Sequence, residues 1–166
     1  MRAGVPNPSY KYQANNASGF TLIELMVTIA VLAIIVSIAA PNMSTQLANQ
    51  RVKATAATIE NALKEAKAES VIERQNINVV YSSTSKTIVL QNINNKVLST
   101  YNINSKSTVS INPNTVTTVT FQPNKVTSNS TKVTYTICDS NNKAAPRQIE
   151  VSTIANISNK PGGSCS

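Results

Sequence analysis

Three hydrophobic patterns follow one another along the chain. From Phe20 to Ala40 it reads FTLIELMVTIAVLAIIVSIAA, 21 residues carrying one charge, Glu24. As a helix this run would rise about 31 Å, enough to span a bilayer core. From Met43 to Arg74 the apolar residues Ala48, Val52, Ala56, Ile59, Leu63 and Ala66 recur at spacings of four and three, which is one helical stripe. We expect one helix from Thr21 to about Arg74, apolar all round in its first half and amphipathic in its second. The small Ala members predict close packing onto a sheet. Glu60 and Lys64 form an i,i+4 pair on the outer face, and the charged face is expected simply to be solvated.

From Asn76 the period changes to two. Short strands are predicted at Ile77–Val79, Thr87–Leu90, Lys96–Leu98, Val116–Phe121 and Ile149–Val151. The clearest is Lys132–Ile137, where apolar and polar residues alternate strictly. Thr, Val and Ile dominate, as pleated surfaces favour. Asn-rich breaks at Asn94-Asn95, Asn112-Pro113-Asn114, Pro123-Asn124 and Ser140-Asn141-Asn142 space the strands as antiparallel hairpins, because Asn tolerates the left-handed region.

Composition narrows the function. The 166 residues carry 15 Lys plus Arg against 7 Asp plus Glu, a net charge of +8, with no His. That removes His-based acid/base chemistry, catalytic triads and His metal sites. Two Cys are too few for a structural zinc centre, and none of the four Gly lies in a phosphate-binding loop. No catalytic residue, cofactor site or metal site is expected, and the protein is read as not an enzyme. The charge is uneven. Residues 20–75 are neutral, whereas 76–166 hold eight basic and two acidic residues, a net +6.

The segment at 20–40 is long for a signal-peptide core and lacks a small-x-small cleavage site before a polar start. A plain membrane anchor leaves Glu24 unexplained, and a carboxylate in hydrocarbon points to function. Gly19-Phe20-Thr21-Leu22-Ile23-Glu24-Leu25 ahead of a long apolar run resembles the type IV prepilin processing site. The resemblance implies a prepilin peptidase that cuts between Gly19 and Phe20 and N-methylates Phe20, leaving 147 residues. Gly19 lets a protease approach the backbone closely. Glu24 is then expected to pair with the N-terminal amine of a neighbouring subunit, a strong device because either charge alone would be costly; an incidental Glu is the alternative. Pro41, the twenty-second residue after the cut, sits where members of the family carry a helix-kinking Pro.

The resemblance implies an α+β type IV pilin fold, a long N-terminal helix packed on antiparallel sheet. Residues 1–19 would be a leader that is removed, 20–43 a membrane-spanning and filament-core helix, and 44–166 a periplasmic, later extracellular, globular domain. Glu69–Arg74 followed by a strand, Phe121-Gln122-Pro123-Asn124, and Ile137-Cys138-Asp139 with Arg147–Val151 resemble the GspH/FimT/FimU minor pilin group. The Gly-Arg-x-Arg element of DNA-binding members is replaced by Ala155-Asn156-Ile157-Ser158, and the tail Lys160–Cys165 is similar to the structural FimU branch.

Cys138 and Cys165 would, as a disulfide, close a loop of 27 residues worth about 3–4 kcal/mol on the chain-entropy model. Two free thiols are the alternative; the absence of CxxC argues against a redox pair. The expected function is that of a minor pilin, initiating assembly at or near the tip of a type IV pilus used in motility, adhesion or transformation. Its partners would be the prepilin peptidase/methylase, other minor and major pilins and the inner-membrane assembly platform, with no small-molecule substrate. Two alternatives stand behind it: a DNA-binding pilin for uptake, with Lys143, Arg147 and Lys160 as weak contacts, and a type II secretion pseudopilin.

Overall fold

The structure, a computed structural model, describes residues 19–165, apart from the side chains of 39–42. Helix α1 runs over Leu22–Ile72 and is followed by eight strands: β1 (Ile77–Ser82), β2 (Thr87–Asn92), β3 (Val97–Asn102), β4 (Ser107–Asn112), β5 (Thr118–Phe121), β6 (Val133–Asp139), β7 (Arg147–Val151) and β8 (Ile157–Pro161). The chain divides into two compact units between Ala39 and Ala40.

The first unit is the apolar half of α1. Its large side chains, from Leu22 through Ile38, are exposed on every side of the helix. A helix that is apolar all round needs an apolar surrounding. Among the described residues no single helix is long and apolar enough to cross a membrane; Leu22–Ile38 reaches that requirement only together with Met43–Ile72.

In the second unit, strands form two four-stranded antiparallel sheets, β3-β2-β1-β5 and β4-β6-β7-β8. The predicted stripe of α1 is buried at every position, and Thr55, Ala62 and Ser70 join it. It meets Ile77 and Val79 of β1, Ile88 and Leu90 of β2, Val119 and Phe121 of β5, Tyr135 and Ile137 of β6, and Ile149 and Val151 of β7 in one cluster. Alternate residues of each strand face inward, as a pleat requires.

The helix ends at Ile72, close to the expected end; Glu73 still donates to Glu69, and Arg74 turns to φ 52°, the left-handed stop of a helix end. Several expectations are corrected. Strands β4 and β8 were not anticipated, and β3 extends beyond Leu98 to Asn102. Apolar and polar residues alternate along β6, and all seven are buried. The charged face of α1 is not merely solvated. Arg51, Glu60, Glu65 and Lys67 each bind a group on the sheets or their loops, because the second unit wraps both flanks of the helix. Left-handed φ at Asn95 and Asn142 fulfils the expected role of Asn in turns.

Candidate assembly and interaction sites

The N-terminal segment is built by a helix start. Thr21 caps α1: its hydroxyl accepts the Glu24 N–H at 3.3 Å, and its carbonyl accepts the Leu25 N–H at 3.2 Å. Thr21-x-x-Glu24 has capping-box spacing, a signal legible in the sequence itself. The cap places Glu24 in the first turn, where the helix dipole favours a carboxylate. Phe20 stands 80% exposed just before it. Among the described residues nothing lies within 4 Å of where a side chain at Gly19 would project. Pro41 lies in the stretch 39–42, at the junction of the two units, and its side chain is outside the described set.

Cys138 and Cys165 form a disulfide with Cα atoms 5.9 Å apart. It holds the tail against the outer face of the second sheet. Gly162 donates to the carbonyl of Pro146 at 3.0 Å. Gly163 (φ +105°) passes so close that a Cβ there would stand 2.8 Å from Cγ2 of Thr136 and 3.1 Å from Nε2 of Gln148. This tail covers Thr136 and Cys138 on the outward side of β6.

Beside Cys138, Asp139 turns inward to α1. Arg51 donates to its Oδ1 from Nη2 at 2.8 Å and from Nε at 3.2 Å, and the backbone N–H of Asn141 donates to Oδ2 at 3.2 Å. Burial pushes the Asp139 carboxyl up, but the Arg51 and Asn141 bonds outweigh it and hold it below the usual carboxylate range. Next along α1, Thr55 and Ser107 share a buried hydroxyl–hydroxyl bond of 2.9 Å. Glu65 accepts hydroxyls from Ser99 and Tyr101 of β3.

The three candidate DNA contacts are not brought together. Lys143 is exposed on the β6–β7 connection. Arg147 points to the helix side, where Nε and Nη2 donate to Asn159 Oδ1, and Asn159 donates in turn to Glu60. Lys160 lies on the opposite face and pairs with Glu150 at 2.9 Å, which Lys132 also reaches at 2.9 Å. The two lysines hold the Glu150 carboxyl below its ordinary value. Among the described residues no three His, Cys, Asp or Glu side chains gather as a metal site.

Residues 14–40 match the prokaryotic N-terminal methylation motif, and residues 55–155 match the model described as type II transport protein GspH. The fold is similar to two crystal forms of the type IV minor pilin FimU of Pseudomonas aeruginosa. One has TM-score 0.60 and 18% identity over 70% of this chain and 96% of that one; the other has 0.59 and 19% over 69% and 99%. It is also similar to the minor pseudopilin EpsH of the Vibrio cholerae type 2 secretion system, with TM-score 0.55 and 8% identity over 69% of this chain and 99% of that one. No curated protein matches. The architecture is that of the type IV pilin fold, α+β, with the helix packed on antiparallel sheets.

Proposed function

The chain belongs to the GspH family of type II transport proteins, and from that premise we propose that it is a minor pilin of a type IV pilus, acting near the filament tip to initiate assembly. At the coarser level it is a minor pilin or pseudopilin, a structural protein rather than an enzyme. The observation that carries the reading is the exposed all-apolar helix that begins just after Gly19-Phe20, within the matched methylation motif, and carries a carboxylate, Glu24, in its first turn. A prepilin peptidase removes residues 1–19 and methylates Phe20. The apolar half of α1 then anchors the chain in the inner membrane, with residues 44–166 outside the cytoplasm, until neighbouring pilins replace lipid around it. Glu24 pairs with the amine of an adjacent Phe20-type N-terminus inside that bundle, and Pro41 removes one helical hydrogen bond at the junction.

We place a type IV pilus ahead of a secretion pseudopilus because the sequence of the Lys160–Cys165 tail resembles the FimU branch. The test is intact-mass analysis of the protein extracted from membranes and from sheared filaments of cells with an active prepilin peptidase. The expected species lacks residues 1–19, carries one added methyl on Phe20, and appears in the filament fraction. Full-length protein in both fractions would overturn the reading. Processed protein that enters only secretion-dependent filaments would move it to the pseudopilin alternative.

A further inference from the structure

A cleft of about 450 Å³ opens between α1 and the β7–β8 end of the second sheet, lined by Gln46, Asn49, Gln50, Lys53, Ala145, Pro146, Arg147 and Pro161. Its chemistry is one-sided. Two cations and three side-chain amides line it, and none of the chain's seven acidic residues does. The amide of Asn49 is oriented: Oδ1 accepts the Ala145 N–H at 3.0 Å, which leaves its Nδ2 as a free donor. Arg147 spends Nε and one Nη2 hydrogen on Asn159, so its remaining guanidinium hydrogens stay available, and the same bonds fix the plane of the fork. Lys53 has no hydrogen-bond or ion-pair partner among the described residues. Pro146 and Pro161 add rigid walls without backbone N–H groups.

We propose that this cleft binds a phosphate ester, and that before assembly the ester is the headgroup of an anionic phospholipid. A donor-rich, carboxylate-free cleft with one guanidinium and one ammonium matches a phosphate, whose oxygens accept from both. The volume admits a phosphate with a glycerol-sized substituent. The lipid source rests on the membrane-anchored stage proposed above. Gln46 follows Met43 by three positions, about 5 Å of helix rise, and Lys53 follows it by ten, about 15 Å. Met43 and Leu47 are both exposed apolar side chains on this stretch. The helix therefore offers apolar contact at its start and donors directly above, the order in which a bilayer presents acyl chains and phosphates.

The test uses the full chain in dodecyl maltoside, titrated with glycerol 1-phosphate, inorganic phosphate and a short DNA duplex, followed by calorimetry and the ³¹P signal. Saturable binding of glycerol 1-phosphate is expected, weakened tenfold or more by Lys53→Gln and by Arg147→Gln. Arg147→Lys should keep part of it, and Lys132→Gln, on the opposite face, should leave it unchanged. Inorganic phosphate binding as tightly as the ester, or DNA binding that alone responds to Lys53 and Arg147, would overturn the lipid assignment. Absence of saturable binding, or binding indifferent to both substitutions, would overturn the cleft. In a second arm, nanodiscs of phosphatidylcholine with and without phosphatidylglycerol should show Lys53- and Arg147-dependent contact with the anionic lipid only. A chain that enters no bilayer would sink the anchoring reading, while the detergent titration still judges the cleft.

Discussion

Arg51 on α1 and Asp139 at the end of β6 stand 88 residues apart and are joined by two hydrogen bonds from one guanidinium. The Asp139 side chain is fully buried, whereas Arg51 keeps a quarter of its surface. Because Asp139 follows Cys138, one strand end is tied inward to the helix and outward to the tail. The helix, the sheet and the C-terminus thus meet at two adjacent residues.

Removing one partner leaves a buried charge without compensation. Arg51→Leu should destabilise the globular unit by about 2–4 kcal/mol, less than a wholly buried pair would lose because Arg51 is partly solvated. Arg51→Leu combined with Asp139→Asn should recover part of that loss in urea unfolding. The pair also sets an acid limit. The Asp139 carboxyl is held below its ordinary value in the folded state, so its contribution is present above the unfolded value, near pH 4. Stability should fall as pH drops through the lower folded value. Asp139→Asn should flatten the acid limb of a melting-temperature profile.

The tail makes a second, separable prediction. Reduction, or Cys165→Ser, should cost about 3 kcal/mol by releasing a 27-residue loop. Gly163→Ala should cost about 1–3 kcal/mol even with the disulfide intact, from positive φ plus the contact on Thr136. Gly162→Ala, at φ +132° with open space around it, should lose only the conformational part. Thermal melts of the two glycine variants, oxidised and reduced, beside Cys165→Ser, separate closeness of packing from backbone strain.

How much of this was legible follows from what local pattern can carry. The stripe Ala48 to Ala66 was readable because each member faces the core at helical spacing, and the Gly19–Glu24 string was readable because the methylation motif it matches is a local string. Strand β4 was missed because its inward residues are Ser107, Val109 and Ile111, and Ser107 is buried through a hydroxyl partner on α1 rather than through apolarity. Strand β8, ISNKP, holds one apolar residue other than its closing Pro, as an edge can. Thr136 is covered by Gly163 of the tail, 27 residues on, which no window over β6 contains. The cleft at Lys53 and Arg147 joins positions almost a hundred residues apart, so only the fold reveals it.

DNA binding should be weak. Arg147 and Lys160 lie on opposite faces, and Lys160 is already paired with Glu150, so no paired cations can clamp one phosphate across the three candidates. A mobility shift at low salt should show a slope of about 2–3 in log affinity against log salt, since each phosphate contact contributes about 0.9. Submicromolar binding at about 150 mM salt that disappears in Lys143→Ala, Arg147→Ala and Lys160→Ala would promote DNA uptake to the leading function.

Glu24 can act in two ways, and the structure supplies the means to tell them apart. As a first-turn carboxylate after a Thr21 cap, it stabilises the helix start by about 0.3–1 kcal/mol through the dipole. As half of an intersubunit charge pair in an apolar bundle, its charge is indispensable to registration, because the facing amine would otherwise be buried alone. Glu24→Gln keeps the length and hydrogen-bonding capacity of a capping-box residue and removes only the charge. Thr21→Ala does the reverse, removing the cap and keeping the carboxylate. If pairing dominates, Glu24→Gln should be cut after Gly19 and held in the membrane at normal levels, yet be nearly absent from sheared filaments. Thr21→Ala should then enter filaments almost normally. The opposite outcome, with Glu24→Gln assembling and Thr21→Ala failing, would make the carboxylate a helix-start device. Quantitative immunoblots of membrane and filament fractions, with processing checked by intact mass, decide between the two.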